Sequence, residues 1–313
     1  MLTSKEVKDF ALAAGADLVG IGSMERFDGV EPGNDPQFIA PKARSIIGLG
    51  FRVLRGSLRG VEERTEFYQF PSMGVAHIDE VHAPGVLRRL ACFLEDRGFE
   101  GVVQRSVPDR RRGDDTGTNP EHGSTFKITT ARPARPGLPA PDVTLDFKRA
   151  ARLCGLGEVG LGGFFLTKRF GPLQRFAFVL TDAELEPDPI PAPSLCDRCG
   201  KCLAACPGDA IAKTGELDEW QCSAYRMGAD AATNPFLPPE AASALDRTRR
   251  HDQASLAQCR QICGEAYGGV HFGYNAAICG VACQRACLCA LEERGALADK
   301  FHQPFRAPLS PGR

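Results

Sequence analysis

Apolar residues at helical and strand-like spacing alternate along the first half of the chain. Near the N-terminus, Thr3 and Glu6 have the spacing of a capping box, in which each side chain bonds a backbone N–H group of the other residue. Apolar residues then follow at intervals of three and four up to Gly15: Val7, Phe10, Ala11 and Ala14. This pattern predicts a first helix that ends at the glycine. Short apolar runs at 18–21 and 45–49 predict buried strands.

The same alternation continues through residue 181. An apolar face that begins near residue 84 ends at Gly98, and Val102 and Val103 follow, which predicts a helix that leads into a strand. Residues 126–130 predict a strand and residues 146–154 a helix. Residues 164–167 and 176–181 predict a hairpin around the turn Arg169-Phe-Gly-Pro172. We therefore expect residues 1–185 to form an α/β domain with the layers of an α+β sandwich.

The positions of cysteine and proline divide the chain. Eleven of the thirteen cysteines follow residue 195. Residues 182–195, directly before them, hold four prolines and predict either a stiff linker or a connection wrapped on the protein. We expect a second domain over residues 186–300 and a tail over residues 301–313. A polar stretch at 107–124 is either a disordered insert or a lid.

The overall composition is that of an ordinary globular protein. Of the 313 residues, 43% are apolar and 25% are charged, and the formal net charge is −1. Such a balance offers no general attraction to nucleic acid or to an anionic membrane. The N-terminus has no basic region followed by an apolar stretch and no twin arginine, and no run of 18 apolar residues occurs. We expect a cytoplasmic protein, in which many cysteines favour metal binding over disulfides.

The strongest chemical motif is a run of four cysteines with Pro207 directly behind the last one. Its spacing, C-x2-C-x2-C-x3-C-P, is that of bacterial ferredoxins, and its members are Cys196, Cys199, Cys202 and Cys206. In that pattern three thiolates bind one [4Fe–4S] cluster and the fourth binds a second cluster. Zinc ribbons, the alternative, place two cysteine pairs a dozen or more residues apart and need no fourth cysteine three residues on. The run therefore predicts iron–sulfur clusters and electron transfer.

Two such clusters need eight thiolates, and downstream cysteines can complete both sets. We predict that the first cluster is bound by Cys196, Cys199, Cys202 and Cys287, and the second by Cys206, Cys222, Cys279 and Cys283. The downstream spacing, C-x3-C-x3-C, departs from the ferredoxin pattern. Additional candidate ligands are Cys259, Cys263 and Cys289. In the first half, Cys92 and Cys154 are predicted to be small buried hydrophobes.

The segment Gly155-Leu-Gly157-Glu-Val-Gly160 matches the dinucleotide-binding pattern G-x-G-x-x-G. Residues 148–154 before it have a helical pattern, whereas the phosphate-binding turn of that motif follows a strand. We therefore do not predict a nicotinamide cofactor. We expect Gly155, Gly157 and Gly160 to permit the close approach of another backbone element or of a flat cofactor.

Several stretches together resemble the superfamily of epoxyqueuosine reductases and reductive dehalogenases. The most telling are Ala150-Ala-Arg-Leu-Cys-Gly-Leu-Gly-Glu-Val-Gly160, Phe164-Phe-Leu-Thr167, Phe170-Gly-Pro172, Thr181-Asp182 and the cysteine run, with support from residues 43–50 and 93–98. The resemblance implies a nitroreductase-like domain over residues 1–185 that holds a base-off corrinoid, which makes cobalamin a candidate cofactor. It also implies a bacterial-ferredoxin-like domain whose two [4Fe–4S] clusters deliver electrons to cobalt.

The resemblance also implies a proton donor. Epoxyqueuosine reductases have an aspartate shortly before the helix that leads into the glycine stretch, and Asp142 falls at that place. A buried carboxylic acid there could stay protonated. The alternative for Asp142 or its neighbour Asp146 is an aspartate that complements a helix N-terminus. Further candidates for the proton donor, each also explained as solvated or structural, are Tyr68, His77 and His82. The basic residues 110–112 predict either a clamp for a phosphate or carboxylate group or a solvated face.

Two departures argue against epoxyqueuosine reduction itself. Those enzymes usually read G-L-G-W-I-G-K-N, whereas this chain has Leu161 and Gly162 at the lysine and asparagine. The 313 residues also show no helical-repeat pattern like the C-terminal extension of those enzymes, so we do not expect a tRNA substrate.

We therefore expect an oxidoreductase that passes electrons through two clusters to a corrinoid or to a small-molecule substrate. Its donor would be a low-potential ferredoxin or flavodoxin, and no nucleic acid or membrane partner is expected. The alternative is a corrinoid-free electron-transfer protein that docks a partner enzyme.

Overall fold

A computed structural model describes residues 2–106, 132–226, 228, 234–236, 278–303 and 305. At its centre lies an antiparallel sheet of four strands, in the order β1 (Leu18–Ser23), β2 (Ser45–Arg52), β6 (Gln174–Thr181) and β3 (Gly101–Gln104). A separate two-stranded sheet pairs β4 (Glu158–Val159) with β5 (Phe165–Leu166). This mixture of helix and sheet confirms the predicted fold class at its coarse level.

Helices cover the sheet and build the cysteine-rich end. The α-helices are α1 (Ser4–Ala13), α2 (Arg59–Glu63), α3 (Gln69–Pro71), α4 (Ala83–Glu95), α5 (Phe147–Leu153), α6 (Lys201–Ala204), α7 (Glu219–Arg226) and α8 (Ala282–Glu293). Two π-helical turns, Ser72–Ala76 and Ile78–His82, join α3 to α4. Short 3-10 turns occur at Met24–Phe27, Pro32–Asn34, Pro36–Phe38 and Arg55–Leu58.

The local sequence signals are confirmed at several helix ends. Thr3 and Glu6 form the predicted capping box of α1. Gly98, in the left-handed region at φ 82°, follows α4 and lets the chain turn into β3, as the pattern predicts. Asp146 caps α5, because its side chain accepts hydrogen bonds from the backbone N–H groups of Lys148 and Arg149.

Each face of the central sheet is buried by a different layer. Alternate residues of β2 and β6 point to the two faces, so Ile47 and Val179 join one core and Ile46 and Phe178 the other. Helices α1, α4 and α8 contribute to the first core, and α5 contributes to the second. Helix α8 therefore packs into the same core as α1.

Helix α5 and the turn after it approach the sheet closely because β1 contains glycines. A Cβ atom built on Gly20 would lie 2.1 Å from the carbonyl oxygen of Cys154. Cys154 itself is fully buried in the second core, as predicted. Cys92 is only half-buried on α4, where the guanidinium of Arg88 faces its sulfur.

The predicted hairpin around Arg169 is wrong. Phe165 and Leu166 pair with β4, whereas residues 174–181 pair with β2 and β3 in the other sheet. A single bridge, between Thr167 and Gly171, closes the turn. The apolar pattern identified both strands, but it carries no information about the partner of each strand.

The proline-rich connection is wrapped on the protein, which decides between the two predicted alternatives. The Asp188 backbone N–H donates to the carbonyl oxygen of Ile21 at 2.8 Å, and its carboxylate accepts the Ile21 N–H at 2.8 Å. Lys8 forms an ion pair with the same carboxylate.

Residues near the C-terminus contact the N-terminal half. Arg55 forms a bidentate ion pair with Glu292 and lies over the ring of Phe305.

Several predictions fall outside the described residues: the strand at 126–130, the polar stretch at 107–124, the basic residues 110–112, and Cys259 and Cys263. Within the described parts of the chain, no helix combines the length and apolar character needed to span a membrane.

Candidate metal centre

Four of the predicted ligands line one cavity. Cys196, Cys199 and Cys202 enter it from the ferredoxin-like run, and Cys287 enters from α8. Arg198 and Gly200 are in the left-handed region, at φ 57° and 74°, so the loop turns tightly between the cysteines. Such turns let closely spaced thiols share one side of a loop. Gly160, Leu161, Gly162 and Phe164 of the N-terminal half also line the cavity.

The thiols of this first set interact electrostatically. Burial, and after it negative charge on Cys202, Cys196 and Cys199, raises the pKa of Cys287 from its usual 9.0 to about 12. Burial also raises the pKa of Cys202. The Leu161 backbone N–H donates to the Cys196 sulfur at 3.2 Å. A buried thiol ionises when a bound cation compensates its charge, which is the condition that a metal site meets.

The other four predicted ligands form a second, more deeply buried set: Cys206, Cys222, Cys279 and Cys283. Burial raises the pKa of Cys222 to about 11, and the pKa values of Cys279 and Cys283 are also raised, mainly by burial. Negative charge on the other three members raises the pKa of Cys283 further. The Ala210 N–H donates to the Cys206 sulfur at 3.3 Å.

Packing of α6 against α8 produces the division into two sets. Cys202 lies on α6 and Cys206 just beyond it, and Cys283 and Cys287 lie one turn apart on α8. Each helical segment therefore contributes to both sets. Cys289, an alternative ligand from the sequence, is buried in the main core.

No three His, Cys, Asp or Glu side chains among the described residues converge closely enough to hold one metal ion. A zinc ion requires four ligands within about 2.3 Å of one point. A cubane cluster differs, because each thiolate binds its own iron.

Two charged residues at the first set were missed by the sequence analysis. Glu158 is 5% exposed, and its carboxylate accepts backbone N–H groups from residues 194–196. Arg294 lines the cavity, pairs with Asp197 at 3.0 Å and donates to the Leu195 carbonyl oxygen at 2.7 Å. The sequence offers only a weak signal for these two residues. Glu158 lies inside an apolar, glycine-rich run, and Arg294 follows directly after a helix.

No protein-family model matches the chain. An epoxyqueuosine reductase of Bacillus subtilis (strain 168) is 30% identical over 264 residues, which are 75% of this chain and 57% of that protein. A tetrachloroethene reductive dehalogenase of Desulfitobacterium hafniense is 47% identical over 60 residues, which are 18% of this chain and 11% of that protein. The chain belongs to the superfamily of epoxyqueuosine reductases and reductive dehalogenases. It matches only part of the length of these superfamily members.

Solved structures of the superfamily share the fold. Epoxyqueuosine reductase from Streptococcus thermophilus matches with a TM-score of 0.50 and 16% identity, over 93% of this chain and 81% of that one. A catabolic reductive dehalogenase in complex with 3-bromo-4-hydroxybenzoic acid matches with a TM-score of 0.50 and 14% identity, over 97% of this chain and 39% of that one.

The glycines implied by the superfamily resemblance have different surroundings. A Cβ atom on Gly155 would lie 2.6 Å from the Pro189 carbonyl oxygen, and one on Gly157 would lie 2.1 Å from that of Leu166. Both positions thus permit close contact with protein backbone. Gly160 lines the first cysteine cavity.

The remaining candidates lie apart from the cysteine cavity's lining. Asp142 is exposed in the loop before α5. Tyr68 and His77 are exposed, and a ring nitrogen of His82 lies 3.0 Å from the Gly15 carbonyl oxygen, which gives that histidine a structural contact.

Proposed function

We propose that this protein is an iron–sulfur reductase with two [4Fe–4S] clusters, one on each cysteine set. The observation that carries the proposal is the division of the eight predicted ligands into two groups of interacting thiols. The N–H groups that donate to Cys196 and Cys206 support it, because hydrogen bonds to sulfur tune cluster potentials. The residues present thus fit the clusters, which would supply one-electron transfer at low potential.

The connection between the two sets supports an electron path. Helix α8 carries one ligand of each set, one turn apart, and the α6 segment does the same. The first set also faces Gly160 and Leu161 of the N-terminal half. An electron acceptor bound by that half would therefore adjoin the first cluster.

For the acceptor we propose a corrinoid or a small-molecule substrate in the N-terminal half. Superfamily membership supports reduction as the reaction class. Gly155 and Gly157 face protein backbone, so a corrinoid would need other residues of the half for its surface. We propose a low-potential ferredoxin or flavodoxin as the electron donor and Asp142 as the proton donor.

Anaerobic reconstitution with hydroxocobalamin tests the choice of acceptor. After gel filtration, we expect iron in two clusters and about one cobalt per chain, with corrinoid absorption bands. Iron without cobalt would support the alternative, a corrinoid-free electron carrier. A parallel binding assay with tRNA should show no binding, and tight binding would replace the small molecule with an RNA substrate.

A further inference from the structure

We propose that Glu158 is a positioning residue for the first cluster, which rests on the proposed function. Its buried carboxylate holds the backbone that carries the first cysteine, and Arg294 holds the same backbone from the opposite side. Together they fix Cys196 relative to the N-terminal half and to α8, before and after a cluster binds.

Three consecutive N–H groups converge on the Glu158 carboxylate. The Ser194 N–H donates to Oε2 at 2.6 Å, and the Cys196 N–H donates to Oε1 at 2.8 Å. The Leu195 N–H lies between them, 3.1 Å from Oε1 and 3.2 Å from Oε2. Hydrogen bonds to an ionised acceptor are stronger than those to a neutral one, so the carboxylate orders this stretch of chain.

Glu158 is itself held firmly. It lies on β4 and pairs with Leu166 of β5, in the N-terminal half. Two residues further on, Gly160 lines the cysteine cavity, and the Leu161 N–H reaches the Cys196 sulfur. One short segment of the N-terminal half therefore contacts both the backbone and the sulfur of Cys196.

Arg294 completes the clamp from the C-terminal end of α8. Its guanidinium donates to the Leu195 carbonyl oxygen at 2.7 Å and forms an ion pair with Asp197 at 3.0 Å. Because α8 also carries Cys287, these contacts fix the fourth thiol of the first set relative to Cys196. The peptide before Cys196 is thus held through its N–H by an anion and through its carbonyl by a cation.

This arrangement predicts two effects of Glu158→Gln. The neutral amide has one acceptor oxygen and a donor group that opposes the N–H groups, so the 194–196 backbone loosens. Loss of a negative charge beside the first cluster also shifts its midpoint potential to a more positive value, while the second cluster keeps its potential.

Amide hydrogen exchange and redox titration of the full-length protein test the clamp. In E158Q we expect exchange at residues 194–196 to accelerate about tenfold or more, in the metal-free and in the reconstituted protein. E158D keeps the negative charge, so the first cluster should retain its midpoint potential. Amide exchange at residues 194–196 should accelerate less in E158D than in E158Q. The matched control is E80Q, which removes an exposed carboxylate from the ion pair with Arg105 and should change neither quantity.

Unchanged exchange at residues 194–196 in E158Q would overturn the clamp. If E158Q fails to fold, E158D decides, because unaltered exchange in that variant contradicts the proposal in the same way. A protein that never binds a cluster would refute the proposed function, yet exchange in its metal-free form would still test Glu158.

Discussion

Cys283 and Cys287 lie one turn apart on the same helix, yet each interacts with a different set of thiols. Burial and negative charge on Cys279, Cys206 and Cys222 raise the pKa of Cys283. Burial and negative charge on Cys202, Cys196 and Cys199 raise the pKa of Cys287. Helix α8 therefore contributes one cysteine to each set of thiols.

Serine substitutions at these two positions should remove different clusters. In C287S we expect the first cluster to be lost, and in C283S the second, with about four irons missing in each case. Iron analysis and electron paramagnetic resonance of the reduced proteins measure both losses. The control is C289S on the same helix, which should keep both clusters. Loss of the same signal in C283S and C287S would contradict the division into two sets.

Gly20→Ala should destabilise the N-terminal half. The added Cβ would lie 2.1 Å from the Cys154 carbonyl oxygen, so α5 must move away from the sheet. We expect a loss of about 1–3 kcal/mol in the free energy of unfolding, measured by urea denaturation. Gly85→Ala on α4, where the added Cβ meets nothing within 4 Å, should instead be neutral or stabilising. Equal stability of both variants would contradict the close packing of α5.

The metal-free protein should lose stability at alkaline pH. The pKa of Cys287 is raised by burial from 9.0 to about 12, so the folded state binds its proton more tightly than the unfolded state. This contribution is complete below the unfolded value and is lost as pH rises toward the folded value. Denaturant midpoints should therefore fall between pH 9.0 and about 12, and less so in C287S. A midpoint independent of pH in that range would contradict the burial of this thiol.

Asp142→Asn tests the proposed proton donor. Because Asp142 is exposed in a loop, we expect the variant to fold normally and to bind both clusters. If Asp142 supplies the proton, turnover should fall by about 100-fold or more. The comparison variant is Asp146→Asn, which retains a helix-capping residue at the start of α5 and should keep its activity. Unchanged turnover in Asp142→Asn would exclude Asp142 as the acid.

Local chemistry explains why part of this molecule was predictable. The capping box of Thr3 and Glu6, the helix before Gly98 and the cysteine spacing depend on residues close together in the sequence. The return of Cys287 to the first set follows from the shared-ligand logic of two-cluster ferredoxins, and the cavity contains that residue.

Long-range contacts explain why the other parts of the fold and of the site could not be predicted from the sequence. The N–H groups bound by Glu158 come from residues 36 to 38 positions away, and no periodic pattern marks them. The partners of the strands at 165–166 and 174–181 are likewise set by the tertiary fold, so the hairpin expected from their proximity was wrong. The packing of Gly20 against the Cys154 carbonyl is another contact between residues far apart in the sequence.

The central claim is that two sets of thiolates each hold a cubane cluster. Its most direct test is the content of iron and acid-labile sulfide in protein prepared without oxygen. The account predicts about eight of each per chain, in two clusters that C283S and C287S remove separately. Folded protein without labile sulfide, or with zinc in place of iron, would contradict it.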